Sequence, residues 1–229
     1  MNTWRLGDVP ADKLVAAVEE HLGILILFVD APEGISGAAC HLTDFDTILV
    51  NRHDPPGRRH FDFAHELFHA MTWESLRPER LDVPDQKKYK AKRIEQLADN
   101  FASAILMPER AMHARWNKRG KKDINTWLNA TATELLVTAA AVRWRMKNLG
   151  LLGLDDELAI NEARLAAHDE TKRRSTPPAA FSRVFMQRIQ KALEHGFISA
   201  RRAARLVDQD LDGLKKLLRT HGFAPPSDL

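Results

Sequence analysis

HFDFAHELFHAMTW (His60–Trp73) reads as one helix with two faces. Phe61, Ala64, Leu67, Phe68 and Met71 recur at the three-to-four-residue spacing of an apolar stripe. His65 and His69 stand one helical turn apart, so both imidazoles fall on one face, about 6 Å apart at their bases, and can reach a single ion. Glu66 stands beside that ion without being needed to hold it. The H-E-x-x-H form on a helix backed by a core supplies what metal-assisted hydrolysis needs: two fixed neutral nitrogens and a nearby carboxylate base.

Downstream, ESLRPERLDVPDQKKYK (Glu74–Lys90) reads as a loop with a charged helical lead-in. A second helix is predicted from Lys92 to Met107, with Ile94, Leu97, Ala98, Phe101, Ala102, Ile105 and Leu106 on its apolar face and Pro108 ending it. Glu95 lies on it, 26 positions after His69, with Asp99 one turn further along the same face. Catalytic zinc commonly takes three protein ligands and keeps one position open, and two His plus one Glu is a known set. Asp99 is placed to accept the second ring N–H of a ligand histidine, which fixes the tautomer and raises basicity. Ala64, Ala98 and Ala102 are small enough to let the two helices approach closely.

Upstream, a helix is predicted from residue 11 to 22, then a buried strand Ile24–Ala31, a turn Gly34–Gly37, a strand GAACHLTD and a third strand Asp46–Asn51. Such close strands suggest a small antiparallel sheet. The fold class expected is therefore α+β: a mostly helical zincin-like domain with a three-stranded antiparallel sheet, then helix-turn-helix-like accessory segments. After Pro108 the chain is helical in character. Thr138 is positioned to cap a helix from Ala139 to Leu149, and Ser199 and Asp210 to cap helices ending near Val207 and Gly222. HDETKRRSTPPAA (His168–Ala180) is the polar, Pro-containing linker candidate. The expected division is a metallopeptidase domain over 1–115, a helix-turn-helix-like segment packed on it over 116–167, a linker over 168–180 and a C-terminal helical module over 181–229.

With 229 residues, 44% hydrophobic and 28% charged, the chain has the composition of an ordinary globular protein. Cys40 is the only cysteine, so an internal disulfide and a multi-cysteine metal cluster are both excluded, and a reducing compartment fits. No segment has signal-peptide form or the roughly 20 apolar residues of a membrane span, so no membrane contact and a cytoplasmic location are expected. The net charge of +3 hides local clusters: Lys87, Lys88, Lys90, Lys92 and Arg93; Arg143, Arg145 and Lys147; Arg201, Arg202 and Arg205. Solvated helix faces explain these most simply, with DNA contact through the basic helices as the alternative.

HELFHAMTW followed by EQLADNFASAILMP resembles the ImmA/IrrE family of metallopeptidases, whose hallmark is a HExxH helix and a later E-x-x-A-N-x-F-A-x-x-L-L-M-P helix. The likeness covers about Leu22 to Pro108. It implies His65, His69 and Glu95 as zinc ligands, the gluzincin set, with Mn²⁺ possible in cells, and Glu66 as catalytic base. Two positions depart from the pattern. Phe68 replaces a common Gly and is expected to narrow the cleft; Asp99 replaces a frequent Asn and should be the stronger partner for a ligand histidine. Family members act on transcriptional repressors, so the resemblance implies a helix-turn-helix repressor as substrate and de-repression of stress or mobile-element genes as outcome. Because this chain starts almost directly at the peptidase region, a separately encoded repressor is expected.

Other chemistries are weaker. Cys40 and His41 are strand neighbours whose side chains point to opposite faces, which disfavours a dyad, and no P-loop occurs. Tyr89, His60 and His113 are the candidates for a second electrophile beside the metal, and Trp73 for a cleft wall. The runner-up function is a non-cleaving, metal-bound regulator that binds DNA or a repressor; a toxin–antitoxin component is the third.

Overall fold

The computed structural model describes residues 4–32, 34–76, 85–172 and 176–226, with backbone alone at 85–91 and 168–172. Helix α1 (Ala11–His21) leads into β1 (Leu25–Val29), β2 (Gly37–His41) and β3 (Asp46–Asn51), followed by α2 (Pro56–Thr72) and α3 (Asp85–Leu106). Pro56 occupies the first helical position of α2, where a missing N–H costs nothing. The lead-in before Lys92 is part of α3 itself, so that helix starts earlier than its apolar periodicity indicates.

The sheet corrects one expectation. It is mixed, not antiparallel: the strand order is β1-β3-β2, with β3 parallel to β1 and antiparallel to β2. The reason lies in burial. Thr47, Ile48, Val50 and Asn51 of β3 are buried, whereas no residue of β2 is fully buried, so the strand with most to hide takes the centre. The connection after Val29 then passes the end of β3 before β2 begins. The β2–β3 hairpin remains antiparallel, with Leu42 N–H donating to the Phe45 carbonyl (3.0 Å) across its turn.

Helix α2 packs across this sheet and α3 packs on α2, with Ala64, Ala98 and Ala102 all fully buried as the close approach requires. Beyond Pro108 come α4 (Glu109–Asn117), α5 (Ile124–Leu135), α6 (Ala139–Asn148), α7 (Leu154–Ala159) and α8 (Glu162–Lys172). Asp123 and Thr138 cap α5 and α6 by accepting from Thr126 N–H (2.9 Å) and Ala141 N–H (3.1 Å). Leu14, Ile26, Leu67, Leu106, Leu128, Met146 and Leu165 belong to one apolar core, so α5, α6 and α8 are built onto the sheet and the α2–α3 pair. Gly57 allows this: a Cβ there would lie 2.5 Å from the Val137 carbonyl carbon, in the turn between α5 and α6.

A second apolar cluster, with Met186, Ile189, Val207, Leu214 and Leu218, lies within α9 (Arg183–Glu194), α10 (Ala200–Leu206) and α11 (Leu211–Thr220). Ser199 and Asp210 cap α10 and α11 as their sequence positions predict. Hydrogen bonds among the described residues tie this unit to the rest. Phe181 N–H donates to the Phe28 carbonyl on the free edge of β1 (2.9 Å), Arg52 donates to the Pro178 carbonyl (3.0 Å), and Ser182 donates to the buried Glu19 carboxylate of α1. Burial raises the Glu19 pKa, against the hydrogen bond from Ser182. Among the described residues no helix is long and apolar enough to cross a membrane.

Candidate metal centre

His65 and His69 come from the C-terminal half of α2, His69 in its last turn, and Glu95 comes from α3, which packs on it. The Nε2 atoms of the two histidines lie 3.1 Å apart. Glu95 offers Oε2 at 3.1 Å from His65 Nε2 and Oε1 at 3.5 Å from His69 Nε2. One donor atom from each of the three residues falls within 4.8 Å of the others. Two ligands about 2.05 Å from a tetrahedral ion would sit roughly 3.3 Å apart, so the spacing suits a small cation. His69 is buried at 4%, while Glu95 is half exposed, which leaves one side of the site open.

Asp99 stands one turn beyond Glu95 and places Oδ1 2.9 Å from His65 Nδ1. A proton on Nδ1 facing this carboxylate leaves Nε2 with its lone pair directed at the site, the arrangement of a metal-ligating imidazole. Burial works to lower the His65 pKa, but the hydrogen bond to Asp99 and the charges of Glu66, Asp99 and Glu95 outweigh it and raise the pKa. Three carboxylates around two imidazoles is a cluster short of positive charge, which a divalent cation would supply. His69 Nδ1 is buried with no hydrogen-bond partner among the described residues.

Glu66 reaches to the sheet. Its Oε2 accepts from the Ala39 N–H of edge strand β2 at 2.7 Å. Gly37 makes room: a Cβ there would meet the Leu49 carbonyl oxygen at 3.0 Å and Glu66 Cγ at 3.2 Å. A cleft of about 420 Å³ runs between this strand and α2, lined by Ser36, Gly37, Phe61, Asp62, His65, Glu66 and Asp99. A carboxylate fixed beside three potential metal ligands in an open cleft is an arrangement that can serve hydrolysis.

The other candidates lie elsewhere. His60 Nδ1 faces the Leu136 carbonyl (2.7 Å) and His113 pairs with Glu109 on α4 (3.6 Å), so neither lines the cleft. The Tyr89 side chain is outside the described residues. Phe68 packs on Phe101 with ring centroids 5.7 Å apart and meets the His69 ring edge-on at 5.8 Å, backing a ligand instead of narrowing the cleft. Trp73 stacks on His41 at 6.0 Å in a separate depression.

Three contributors were absent from the sequence reading. Ala39 acts through its backbone, which no side-chain pattern reveals. Gly37 was read only as the end of a turn, and Asp62, three residues before His65, could have been found by helical spacing alone. Burial pushes the Asp62 carboxyl up to about 6, with Arg58 opposing, Asp54 adding, and smaller opposed effects from His65 and Glu66.

The model of the IrrE N-terminal-like domain, a peptidase family, matches residues 19–147. No curated protein matches the chain. The matched span begins near the end of α1, includes the whole sheet and the α2–α3 crossing, ends within α6, and takes in more than half of the 229 residues. This chain belongs to the IrrE N-terminal-like domain family, a peptidase of the ImmA/IrrE type.

Proposed function

We propose that the protein is a zinc-dependent endopeptidase of the gluzincin type, with His65, His69 and Glu95 holding the ion and Glu66 as general base. The observation that carries this is the meeting of three ligand atoms at the α2–α3 crossing beside a carboxylate held by Ala39 N–H. When bound, Zn²⁺ supplies Lewis acidity and makes water more acidic. Glu66 takes a proton from the attacking water and passes it to the departing amine nitrogen, its orientation kept by the Ala39 N–H. Asp99 holds His65 in the ligating tautomer. Mn²⁺ is an alternative occupant of the same nitrogen and oxygen donors.

The substrate we infer is a helix-turn-helix repressor, whose cleavage releases stress or mobile-element genes. This rests on the family resemblance and on a cleft open enough for a polypeptide. The division into a peptidase domain, a packed helical segment and a C-terminal module belongs to the same reading, the C-terminal helices serving the substrate or self-association. Changing Glu66 to Gln tests the activity. Metal content and repressor binding should persist while cleavage falls by a factor on the order of 10²–10⁴. Equal reporter induction by both proteins, with no repressor fragment from either, defeats the peptidase reading.

A non-cleaving DNA binder remains the second reading because Arg201, Arg202 and Arg205 are exposed on α10. The basic residues of α6 argue against it. Arg143 pairs with Glu162, Arg145 Nε donates to the Met107 carbonyl (3.0 Å), and Lys147 pairs with Glu157 (3.2 Å).

A further inference from the structure

Beside the metal cleft lies a larger cavity of about 740 Å³, between α2, α3 and α6. The two cavities share Phe61, Asp62 and Asp99 as walls, so whatever enters the cleft has the second cavity within reach. Its remaining walls are polar on α3, with Gln96, Asn100 and Ser103, and mixed at α6, where Ala141 and Trp144 are apolar and Thr138 and Asn148 polar. The rings of Phe61 and Trp144 give it apolar surface among polar groups.

Two polar groups in these walls have no hydrogen-bond partner among the described residues. Ser103 is 7% exposed and its Oγ is unpaired; Asp62 Oδ2 is buried with no hydrogen bond, and the nearest cation, Arg58 Nε, stands 3.6 Å away. Buried groups in that condition are costly unless a ligand completes them. The charged residues of the wall are two carboxylates, Asp62 and Asp99, against the single guanidinium of Arg58. Trp144 is 56% exposed, far more than a packing role needs. Arg143 and Lys147 lie over its ring, each paired with a glutamate, so the indole offers a hydrophobic flank more than a vacant cation seat.

We propose that this cavity is a specificity pocket for a long basic side chain, arginine or lysine, of the polypeptide bound in the metal cleft. The apolar stem lies along Trp144 and Phe61, and the cationic head donates to Asp62 and Ser103. Guanidinium and ammonium groups have only donors to offer, which is what these two acceptors lack. Such bonds, being charge-assisted, are stronger than neutral ones. The inference deepens the proposed peptidase reading and rests on it for the presence of a polypeptide, but binding tests it without turnover.

Zinc-loaded protein is titrated calorimetrically with short peptide hydroxamates carrying arginine or norleucine next to the chelating group, in two series that place the side chain on either side of it. In one series arginine should bind about tenfold or more tightly than norleucine. Asp62→Asn should erase the difference and leave norleucine affinity unchanged; Trp144→Ala, at an exposed position, should weaken both. Argininamide and norleucinamide added to metal-free protein give a second arm. Only the former should shift the Trp144 indole N–H resonance, identified by its loss in Trp144→Ala. Equal affinities in both series, or an arginine preference that survives Asp62→Asn, overturns the proposal. Failure of the peptidase reading would instead appear as no repressor fragment from either wild type or Glu66→Gln, in an assay these titrations do not use.

Discussion

His65 and His69 are separated by exposure as well as by sequence: the first meets Asp99 at the rim, the second is enclosed, its Nδ1 without a hydrogen-bond partner among the described residues. Either residue changed to Ala should abolish stoichiometric metal in purified protein by elemental analysis, and Glu95→Gln should weaken binding. Asp99→Asn should lower zinc affinity about 10–100-fold, measured by competition with a chromogenic chelator, because the carboxylate supports the His65 tautomer without touching the ion. Unchanged affinity would remove Asp99 from the site. Asp62 gives a pH signature in chelator-treated protein. Its folded-state pKa is raised to about 6 by burial, so the protonated form favours folding. That contribution is complete below the unfolded value near 4 and is lost as pH rises through about 6, a difference on the order of 3 kcal/mol. Denaturant unfolding should show Asp62→Asn more stable than wild type at pH 8 and no more stable at pH 4. The pairing of His65 with His69 on one face was legible in the sequence because their spacing is helical, whereas Glu95 comes from another helix and meets them only in the fold. The Ala39 donor was not legible, since a strand's edge is defined by its neighbours and not by its residues.

At the level of elements, the caps written by Thr138, Ser199 and Asp210 all formed, because capping is local chemistry between a side chain and an amide three residues on. Strand order was harder to read. Alternation in β1 and β3 tells which side chains turn inward and is silent about which strand lies alongside, so the parallel pairing of Leu25–Val29 with Thr47–Asn51 emerges only in three dimensions. Charge clusters were equally indirect: Arg143, Arg145 and Lys147 look like a binding face in one dimension, yet each has a partner within the fold. The seam between α2 and the α5–α6 turn offers a stability test. An alanine Cβ at residue 57 would lie 2.5 Å from the Val137 carbonyl carbon and 2.9 Å from Thr138 N, where backbone must yield. Gly57→Ala should cost about 1–3 kcal/mol in denaturant unfolding. A neutral result would show that α5 and α6 can shift away from α2 freely.

Across the whole molecule, the first apolar core joins the sheet, the helix pair and α5–α8, while the second belongs to α9–α11. The hydrogen bond from Phe181 N–H to the Phe28 carbonyl sets the chain just before α9 against the free edge of β1. Strand β1 has β3 on one side only, so its other side presents backbone groups able to recruit a strand from another chain. A protein ending before Ser175 would lose the Phe181 covering along with the helices. Its most visible defect should be self-association: light scattering that rises with concentration, suppressed by a lysine placed at Phe28 to make the bare edge inhospitable. A truncated protein that stays monomeric at high concentration would show that β1 needs no guard. If the shortened protein self-associates instead, the tail of this peptidase matters to its solubility before it matters to any substrate.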